Sequence, residues 1–172
     1  PVQEAIFHCT AQACRALGLR EGPVHAELRV NEQGPWVVEV AGRSIGGLCS
    51  NILRFGTSMS LEELILRQAV GMEIESLNRE ERAGGVMMIP IPGAGLLKCV
   101  EGLEQAQAVP GIEEIEITAK LDNRIMPLPE GSSYLGFIFA RGETPQVVEA
   151  ALREAHRHLR FTIVPEIYLA RR

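Results

Sequence analysis

The sequence predicts an α+β fold in two consecutive parts. Some segments have apolar residues at helical spacing, others alternate apolar and polar residues as strands do, and the two kinds of segment interleave along the 172-residue chain. The composition changes at LNREERAGG, residues 77–85. We therefore predict one domain over residues 1–80 and a small α+β lobe over residues 81–172.

Two helices are predicted in the first part. Residues 2–17 have apolar positions at helical spacing and are followed by Gly18, a residue typical of helix C-termini. The segment SLEELILRQAVG predicts the second helix, because Ser60 suits the N-cap and Glu63 stands at the capping-box position. The glycine-rich loop GRSIGGLCS comes before this helix, and NILRF after the loop predicts a helical turn.

A β-hairpin is predicted between the first helix and the glycine-rich loop. Residues 23–31 and 35–41 alternate apolar with polar side chains, and the linker NEQGP is rich in turn formers. If the apolar faces of the two strands coincide, every residue has a defined cross-strand partner. The predicted pairs are Val30 with Trp36, Leu28 with Val38, Ala26 with Val40, and Glu27 with Glu39.

The second part alternates strands and helices. Thr144 is a good N-cap residue, and Pro145 suits the first position of the helix that follows it. The Pro-rich segment IMPLPEGSS predicts a loop, and PIPGAG predicts a turn because it lacks the lysine of a P-loop. The predicted strands are VMMIPIP, LLKCV, EEIEIT, YLGFIFARG and FTIVP, and the predicted helices are EGLEQAQAV and TPQVVEAALREAHRHL.

Composition and charge argue against several classes of protein. The net charge of -5 disfavours a general nucleic-acid surface, and no apolar stretch approaches the roughly 18 residues of a membrane span. The four cysteines form no CxxC pair, and we interpret them as reduced thiols of a cytoplasmic protein. We expect neither nucleic acid nor a membrane as a partner, and a chain that begins PVQEAIF is expected to be a piece of a longer protein.

The pairing of Glu27 with Glu39 requires an explanation. Directly opposed Cβ atoms lie roughly 5 Å apart, and like charges at that distance destabilise a hairpin. One interpretation is a solvated polar face on which both carboxylates point into water. The other is a divalent cation, since Mg²⁺ takes oxygen ligands and commonly binds one or two carboxylates together with substrate phosphates.

The loop after the second strand favours a ligand site. Arg43 follows Glu39 by four residues, and GRSIGG offers backbone N–H groups that form anion sites when they are successive. Gly46 and Gly47 let the backbone approach a ligand closely. Two carboxylates, a guanidinium and a run of N–H groups together suit phosphoryl chemistry.

The stretch HAELRV…GPWVVEVAGRSIGG resembles the metal-binding end of the ATP-grasp fold. It is most similar to the branch of carboxylate–amine ligases that includes the L-amino-acid ligases, and residues 84–165 resemble the small C-terminal lobe of these enzymes. The resemblance implies the C-terminal half of an ATP-grasp domain, an antiparallel sheet with helices, followed by that lobe. It also implies a ligase that uses ATP to join a small carboxylate to an amine through an acyl phosphate.

The resemblance implies roles for individual residues. Glu27 and Glu39 would bind one or two Mg²⁺ ions, or Mn²⁺, that bridge the ATP phosphates, and Arg43 would stabilise the acyl phosphate. Gly46 and Gly47 would offer N–H groups to the same oxyanions. Apart from the resemblance, His25 lies on the Glu27 face, where it could contact a substrate carboxylate or a phosphate or could be a half-exposed strand histidine.

The sequence departs from the family pattern at three points. Ala41 stands where many members have an asparagine ligand, and two residues rather than one separate Arg43 from Gly46. The phosphate-binding lysines of the family lie upstream, whereas this chain has only Lys98 and Lys120, both in the second part. We therefore expect the isolated chain to be inactive without the N-terminal part of the same protein.

Other interpretations stay open. The parent enzyme could be a biotin-carboxylase-like or a purine-pathway ATP-grasp protein, and a homo-oligomer is expected. A non-catalytic module is the alternative of another class, in which exposed sheet edges pair with a second copy. His156 and His158 do not share a helix face, which argues against a metal site there, and Cys9 and Cys14 are interpreted as packing residues.

Overall fold

A computed structural model describes residues 1–56 and 58–165. It contains four α-helices, ten strands and one 3₁₀ turn. In chain order these are α1 Val2–Ala16, β1 His25–Asn31, β2 Gly34–Ala41, the 3₁₀ turn Cys49–Ile52, β3 Arg54–Phe55, β4 Met59–Ser60, α2 Leu61–Ala69, β5 Ala83–Ile89, β6 Gly95–Glu101, α3 Leu103–Gln107, β7 Ile112–Ile117, β8 Arg124–Ile125, β9 Gly136–Gly142, α4 Pro145–His158 and β10 Arg160–Val164.

The chain divides into two compact units, Pro1–Glu80 and a second unit that begins at Glu81. Every strand pair in the described residues is antiparallel, which agrees with the predicted α+β class. No helix in these residues is long and apolar enough to span a membrane. The part of the predicted second domain that covers residues 166–172 lies outside the described residues.

The first unit is built on helix α1 and the β1–β2 hairpin, which pack against each other through β2. Helix α1 ends where the sequence predicts, because Gly18 adopts a φ of 73° and lets the chain reverse. The N–H of Leu19 then donates to the carbonyl of Cys14 at 2.9 Å, which satisfies a carbonyl of the last helical turn. The Cys9 thiol donates to the carbonyl of Pro35 on β2 at 3.5 Å.

The hairpin contains one inserted residue that alternation alone does not reveal. At its open end Glu27 pairs with Glu39, as predicted, but the next pair toward the turn joins Leu28 to Val37 and leaves Val38 as a β-bulge. The predicted pairs of Leu28 with Val38 and of Val30 with Trp36 are therefore wrong. The observed pairs toward the turn are Leu28–Val37, Arg29–Trp36, Val30–Pro35 and Asn31–Gly34.

The second unit contains two three-stranded sheets, in the orders β5-β9-β7 and β10-β6-β8. Strand β9 is buried along its whole length, and α4 packs across β5 and β9. Helix α4 begins as predicted, with the Thr144 hydroxyl accepting from the N–H of Val147 at 3.3 Å and Pro145 in the first turn. The largest fully buried side chains are Ile89, Leu97, Leu135 and Ile138.

Two contacts fix the helix and the buried strand of this unit. A Cβ added at Gly85 on β5 would lie 2.6 Å from Cγ1 of Val148 and 3.1 Å from Cδ1 of Leu152 on α4, so the helix lies directly on the glycine. On β9, the buried Arg141 donates from Nε to Glu113 at 2.8 Å. Charge pairing of this kind is what permits an arginine in a buried strand.

Short strands appear where the sequence predicts none. Strand β8, residues Arg124–Ile125, pairs with the start of β6 and buries Ile125 at the edge of the segment predicted as a Pro-rich loop. Strands β3 and β4 pair with each other just before α2. Two-residue strands are too short for period-two alternation, so sequence pattern does not detect them.

The two units differ in how much apolar surface they bury. Among the described residues, every apolar side chain classed as buried lies between Ile89 and Leu159, in the second unit. Among the described residues of the first unit, Ser50 is the only buried one. Large apolar side chains there remain exposed, including Phe7 at 69% and Trp36 at 56%.

Candidate functional site

Two carboxylates face each other at the open end of the hairpin. Glu27 on β1 is the direct cross-strand partner of Glu39 on β2, and their side chains are 57% and 52% exposed. Partners in an antiparallel pair project on the same side of the ladder. Both carboxylates therefore share one solvent-accessible face, and each repels the other unless positive charge lies nearby.

Each carboxylate has its own basic neighbour. Nε2 of His25, two residues before Glu27, lies 3.5 Å from its Oε1, and Nη2 of Arg43 lies 3.7 Å from Oε1 of Glu39. Exposed pairs of this kind stabilise a fold by only about 0–1 kcal/mol. The guanidinium of Arg43 offsets part of the repulsion, whereas the imidazole of His25 does so only when it is protonated.

Arg43 connects the carboxylate pair to the glycine loop. Its Nη1 donates to the carbonyl of Ser44 at 3.0 Å, and a Cβ added at Gly46 would lie 3.9 Å from the same nitrogen. Gly47 has a φ of 65°, a left-handed conformation that favours glycine. The guanidinium thus lies between Glu39 and the backbone of the loop, with Gly46 beside it and Gly47 next in sequence.

The bulge brings Trp36 onto the face of the carboxylates. Arg29 projects on the same side of β1 as Glu27, because it lies two residues away, and Trp36 is the cross-strand partner of Arg29. The indole Nε1 donates to Oδ1 of Asn31 at 3.1 Å, which fixes the ring near the turn. The predicted pairing had assigned this tryptophan to the opposite, apolar face.

The donor set suits a hard divalent cation that has other ligands as well. Two carboxylates supply oxygen atoms, which Mg²⁺ prefers, and Mg²⁺ commonly completes its shell with water and substrate phosphates. Within residues 1–56 and 58–165 no three His, Cys, Asp or Glu side chains are grouped so that they could hold a metal. The pair therefore fits a cation shared with a phosphate better than a closed structural metal site.

A second polar cluster lies just beyond the glycine loop. Ser50, in the 3₁₀ turn, is 5% exposed, and this turn contacts helix α2. The pKa of Glu62, in the first turn of α2, is lowered chiefly by the hydroxyl of Ser50, and further by its own backbone N–H, by Ser60 and by the charge of Arg54. Sequence reasoning named Glu63 only as the capping-box partner of Ser60 and did not consider Glu62.

Among the other candidates from the sequence, His158 and Arg54 contact residues close to them in the chain. Nε2 of His158 lies 3.4 Å from Glu154, its neighbour one helical turn away. All four cysteines are free thiols. Arg54, which follows the glycine loop, donates from Nη1 to the carbonyls of Asn51 and, at 2.9 Å, of Leu53, so its guanidinium is engaged by its own turn.

Two family profiles match separate parts of the chain. The profile of the ATP-grasp domain matches residues 2–52, which include the hairpin and the glycine loop. The profile of the L-amino acid ligase C-terminal domain 2 matches residues 87–164, which form most of the second unit. The chain belongs to the ATP-grasp superfamily, in the branch of the L-amino acid ligases. This confirms the family that the hairpin and the lobe resemble.

Solved ATP-grasp structures have the same fold. The crystal structure of L-amino acid ligase from Bacillus licheniformis is 28% identical, with a TM-score of 0.77, over 95% of this chain and 41% of that one. Phosphoribosylglycinamide synthetase from Anaerococcus prevotii is 17% identical, with a TM-score of 0.77, over 95% of this chain and 42% of that one. N5-carboxyaminoimidazole ribonucleotide synthetase from Thermotoga maritima is 18% identical, with a TM-score of 0.61, over 90% of this chain and 40% of that one. These last two likenesses concern the fold alone.

A relative by sequence is the uncharacterized protein y4rH of Sinorhizobium fredii. It is 24% identical over 155 residues, which are 90% of this chain and 32% of that protein. The ATP-grasp chain described here thus spans about a third of this relative's length and two fifths of the length of the solved ligases.

Proposed function

We propose that this chain provides the magnesium-binding end of the active site of an ATP-dependent ligase that joins a small carboxylate to an amine. The observation that carries the proposal is the direct pairing of Glu27 with Glu39 on the open face of the hairpin. A chain gains little from two opposed exposed carboxylates unless a cation lies between them. The ATP-grasp membership and the neighbouring Arg43 support the same interpretation.

The proposed reaction has two steps. A carboxylate oxygen of the first substrate attacks the γ-phosphorus of ATP, so that ADP leaves and an acyl phosphate forms. The amine of the second substrate then attacks the acyl carbon, inorganic phosphate leaves, and the nitrogen loses a proton. Negative charge builds on phosphate oxygens in the first step and on the acyl oxygen in the second, which is the charge that a guanidinium and backbone N–H groups stabilise.

The proposal assigns a role to each residue around the hairpin. Glu27 and Glu39 hold Mg²⁺, or Mn²⁺ in its place, and the ion supplies positive charge against the phosphates when it is bound. Arg43 stabilises the acyl phosphate. The remaining contacts, to phosphate or substrate oxygens, are assigned to Gly46, Gly47 and His25. The activity belongs to the longer protein that also has the N-terminal part of the ATP-grasp fold.

The metal site can be tested on this chain by NMR. Mn²⁺ broadens the amide signals of residues close to it, so we expect broadening centred on Glu27, Glu39 and their neighbours, and reversal on addition of excess Mg²⁺. Glu39→Gln removes one carboxylate charge at constant shape. Loss of a charge-assisted contact of about 1.5–3 kcal/mol predicts an affinity lowered about tenfold or more.

Glu32→Gln is the matched control, because Glu32 lies in the turn of the same hairpin and the substitution changes net charge equally. It should leave the broadening pattern and the affinity unchanged. Broadening that is centred outside the hairpin, or that is equal in wild type and Glu39→Gln, would contradict the metal assignment.

A further inference from the structure

A third basic residue, Arg29, lies beside the paired carboxylates of the hairpin. It follows Glu27 by two residues on β1, so its side chain projects to the same side of the ladder. Two residues along a strand span about 6.4–6.8 Å, and a long side chain can bridge that distance. Arg29 therefore lies on the carboxylate face, one step from the acids toward the turn.

Arg29 differs from the two other basic residues near the acids because it has no acidic partner. His25 lies 3.5 Å from Glu27, and Arg43 lies 3.7 Å from Glu39. Within residues 1–56 and 58–165, no carboxylate lies at ion-pairing distance from Arg29. The residue is also exposed. Its guanidinium is therefore accessible to an anion from solution.

The charges on this face balance only while no metal is bound. The two paired carboxylates are matched by the guanidiniums of Arg29 and Arg43, which leaves the face close to neutral. A bound Mg²⁺ adds two positive charges beside Arg29, and this is unfavourable unless an anion joins them. A polyphosphate supplies that anion, since Mg²⁺ commonly binds substrate phosphates together with carboxylates.

We propose that Arg29 binds the phosphate of a Mg²⁺-bound triphosphate that lies farthest from Arg43. This inference rests on the proposed function, in which Arg43 contacts the phosphate that is transferred. Arg43 follows the acids at the open end of the hairpin, whereas Arg29 lies on the turn side of them. A chain of three phosphates held across the metal contacts one guanidinium at each end. The hairpin thereby selects a triphosphate over shorter phosphates.

Inorganic tripolyphosphate and pyrophosphate, each with Mg²⁺, test the assignment on the whole chain. Tripolyphosphate offers the phosphates of ATP without the nucleoside, and pyrophosphate is one phosphate shorter. Trp36 is the one tryptophan of the chain and lies on the carboxylate face, so its fluorescence reports binding. We expect Arg29→Gln to weaken tripolyphosphate binding about tenfold, through loss of a charge-assisted hydrogen bond, and pyrophosphate binding about threefold or less.

Binding of Mn²⁺ without phosphate separates a phosphate contact from a structural role. Removing a positive charge near the metal site lowers the repulsion of the ion, so Arg29→Gln should bind Mn²⁺ alone about two- to threefold more tightly than wild type. The same variant therefore gains affinity for the ion and loses affinity for the tripolyphosphate complex, whereas a damaged hairpin would lose both. Arg29→Lys keeps the charge and should recover part of the tripolyphosphate affinity.

Arg67→Gln is the matched control, because it removes the same charge from α2, where Arg67 pairs with Glu63 at 2.7 Å. It should bind all three probes as wild type does. If Arg43→Ala weakens tripolyphosphate binding but Arg29→Gln does not, the inference is overturned and the proposed function stands. Equal losses for tripolyphosphate and pyrophosphate in Arg29→Gln also overturn it. If the wild type binds neither Mn²⁺ nor tripolyphosphate, both proposals fail.

Discussion

The contacts of Arg43 make it the residue on which the candidate site depends most for positive charge. It lies against Glu39 and donates to the loop backbone, so replacing it removes a fixed cation from between them. A lysine would keep the charge but lose the planar fork that contacts two groups at once. The spacing in the sequence was sufficient to select this residue. Arg43 follows Glu39 by four residues, and such a short separation keeps the two side chains close to each other.

Arg43→Ala should weaken binding of the Mg²⁺–tripolyphosphate complex about tenfold or more, because a charge-assisted hydrogen bond contributes about 1.5–3 kcal/mol. Arg43→Lys should recover part of that loss. Trp36 fluorescence gives the measurement. Arg67→Ala, on α2 and paired with Glu63, is the control and should bind as wild type does. Equal affinities in Arg43→Ala and Arg67→Ala would remove Arg43 from the site.

Glu62 gives the first unit a defined dependence on acid. Its pKa is lowered in the folded state from an ordinary value of 4.5, so it contributes stability that is present above that pH and is lost as pH falls through the folded pKa. The stability difference between wild type and Glu62→Gln should therefore be present at pH 6 and vanish below the folded pKa. The charged group that faces it is Arg54.

Urea unfolding of both variants at several pH values, followed by the amide signals of the 3₁₀ turn, measures this difference. Glu63→Gln should run parallel to wild type at every pH. A gap between wild type and Glu62→Gln that widens as pH falls would have the wrong sign and would contradict the role of the ionised carboxylate.

At the scale of elements, the packing of α4 on β5 depends on the absence of a side chain at Gly85. The added Cβ of Gly85→Ala would meet Val148 and Leu152 on the helix, the first at 2.6 Å. Overpacking of a close contact destabilises by about 1–3 kcal/mol. For a unit of this size we expect a lowering of the melting temperature by about 4–8 °C for each kcal/mol.

Gly93→Ala is the comparison, because nothing lies within 4 Å of a Cβ added at Gly93 and its φ is not in the left-handed region. Thermal unfolding followed by circular dichroism should place Gly93→Ala at or slightly above wild type and Gly85→Ala below it. A Gly85→Ala variant as stable as Gly93→Ala would mean that α4 shifts freely on the sheet.

Sequence patterns located most elements but not the details that position side chains. Alternation predicted both hairpin strands and the pairing of Glu27 with Glu39. It missed the bulge because Trp36, Val37 and Val38 are all apolar and do not alternate. At α2, Ser60 caps the helix as predicted, but Glu63 pairs with Arg67 at 2.7 Å instead of completing a capping box. A partner four residues along the helix was visible in the sequence and competes with the cap.

At the scale of the whole molecule, apolar burial is concentrated in the second unit, around Ile138 and its neighbours on β9. Regions with few buried apolar contacts open at lower free energy than the core. We expect native-state amide exchange to be slowest on β9 and at least tenfold faster throughout β1 and β2, since each 1.4 kcal/mol of opening free energy is a factor of ten. Slowest exchange in the hairpin would contradict this order.

The α+β class could be predicted because alternation and helical spacing are local properties of the sequence. The strand orders β5-β9-β7 and β10-β6-β8 could not, because they depend on which distant strands meet. The same limit applies to the 3₁₀ turn that contains the buried Ser50, because this turn contacts helix α2 further along the chain. A serine after a glycine-rich loop has no local pattern that distinguishes it.

The bulge at Val38 changes the pairing register between the turn and the open end of the hairpin. Continued from the turn without an extra residue, the ladder would align Glu27 with Val38 and direct Glu39 to the opposite face. The inserted residue restores the alignment of the acids. Because the correction is made within β2, the sequence between the bulge and the turn can vary in side-chain character while the two acids stay aligned. In a hairpin of this kind, residues near the turn can therefore be substituted while the two carboxylates stay opposite each other.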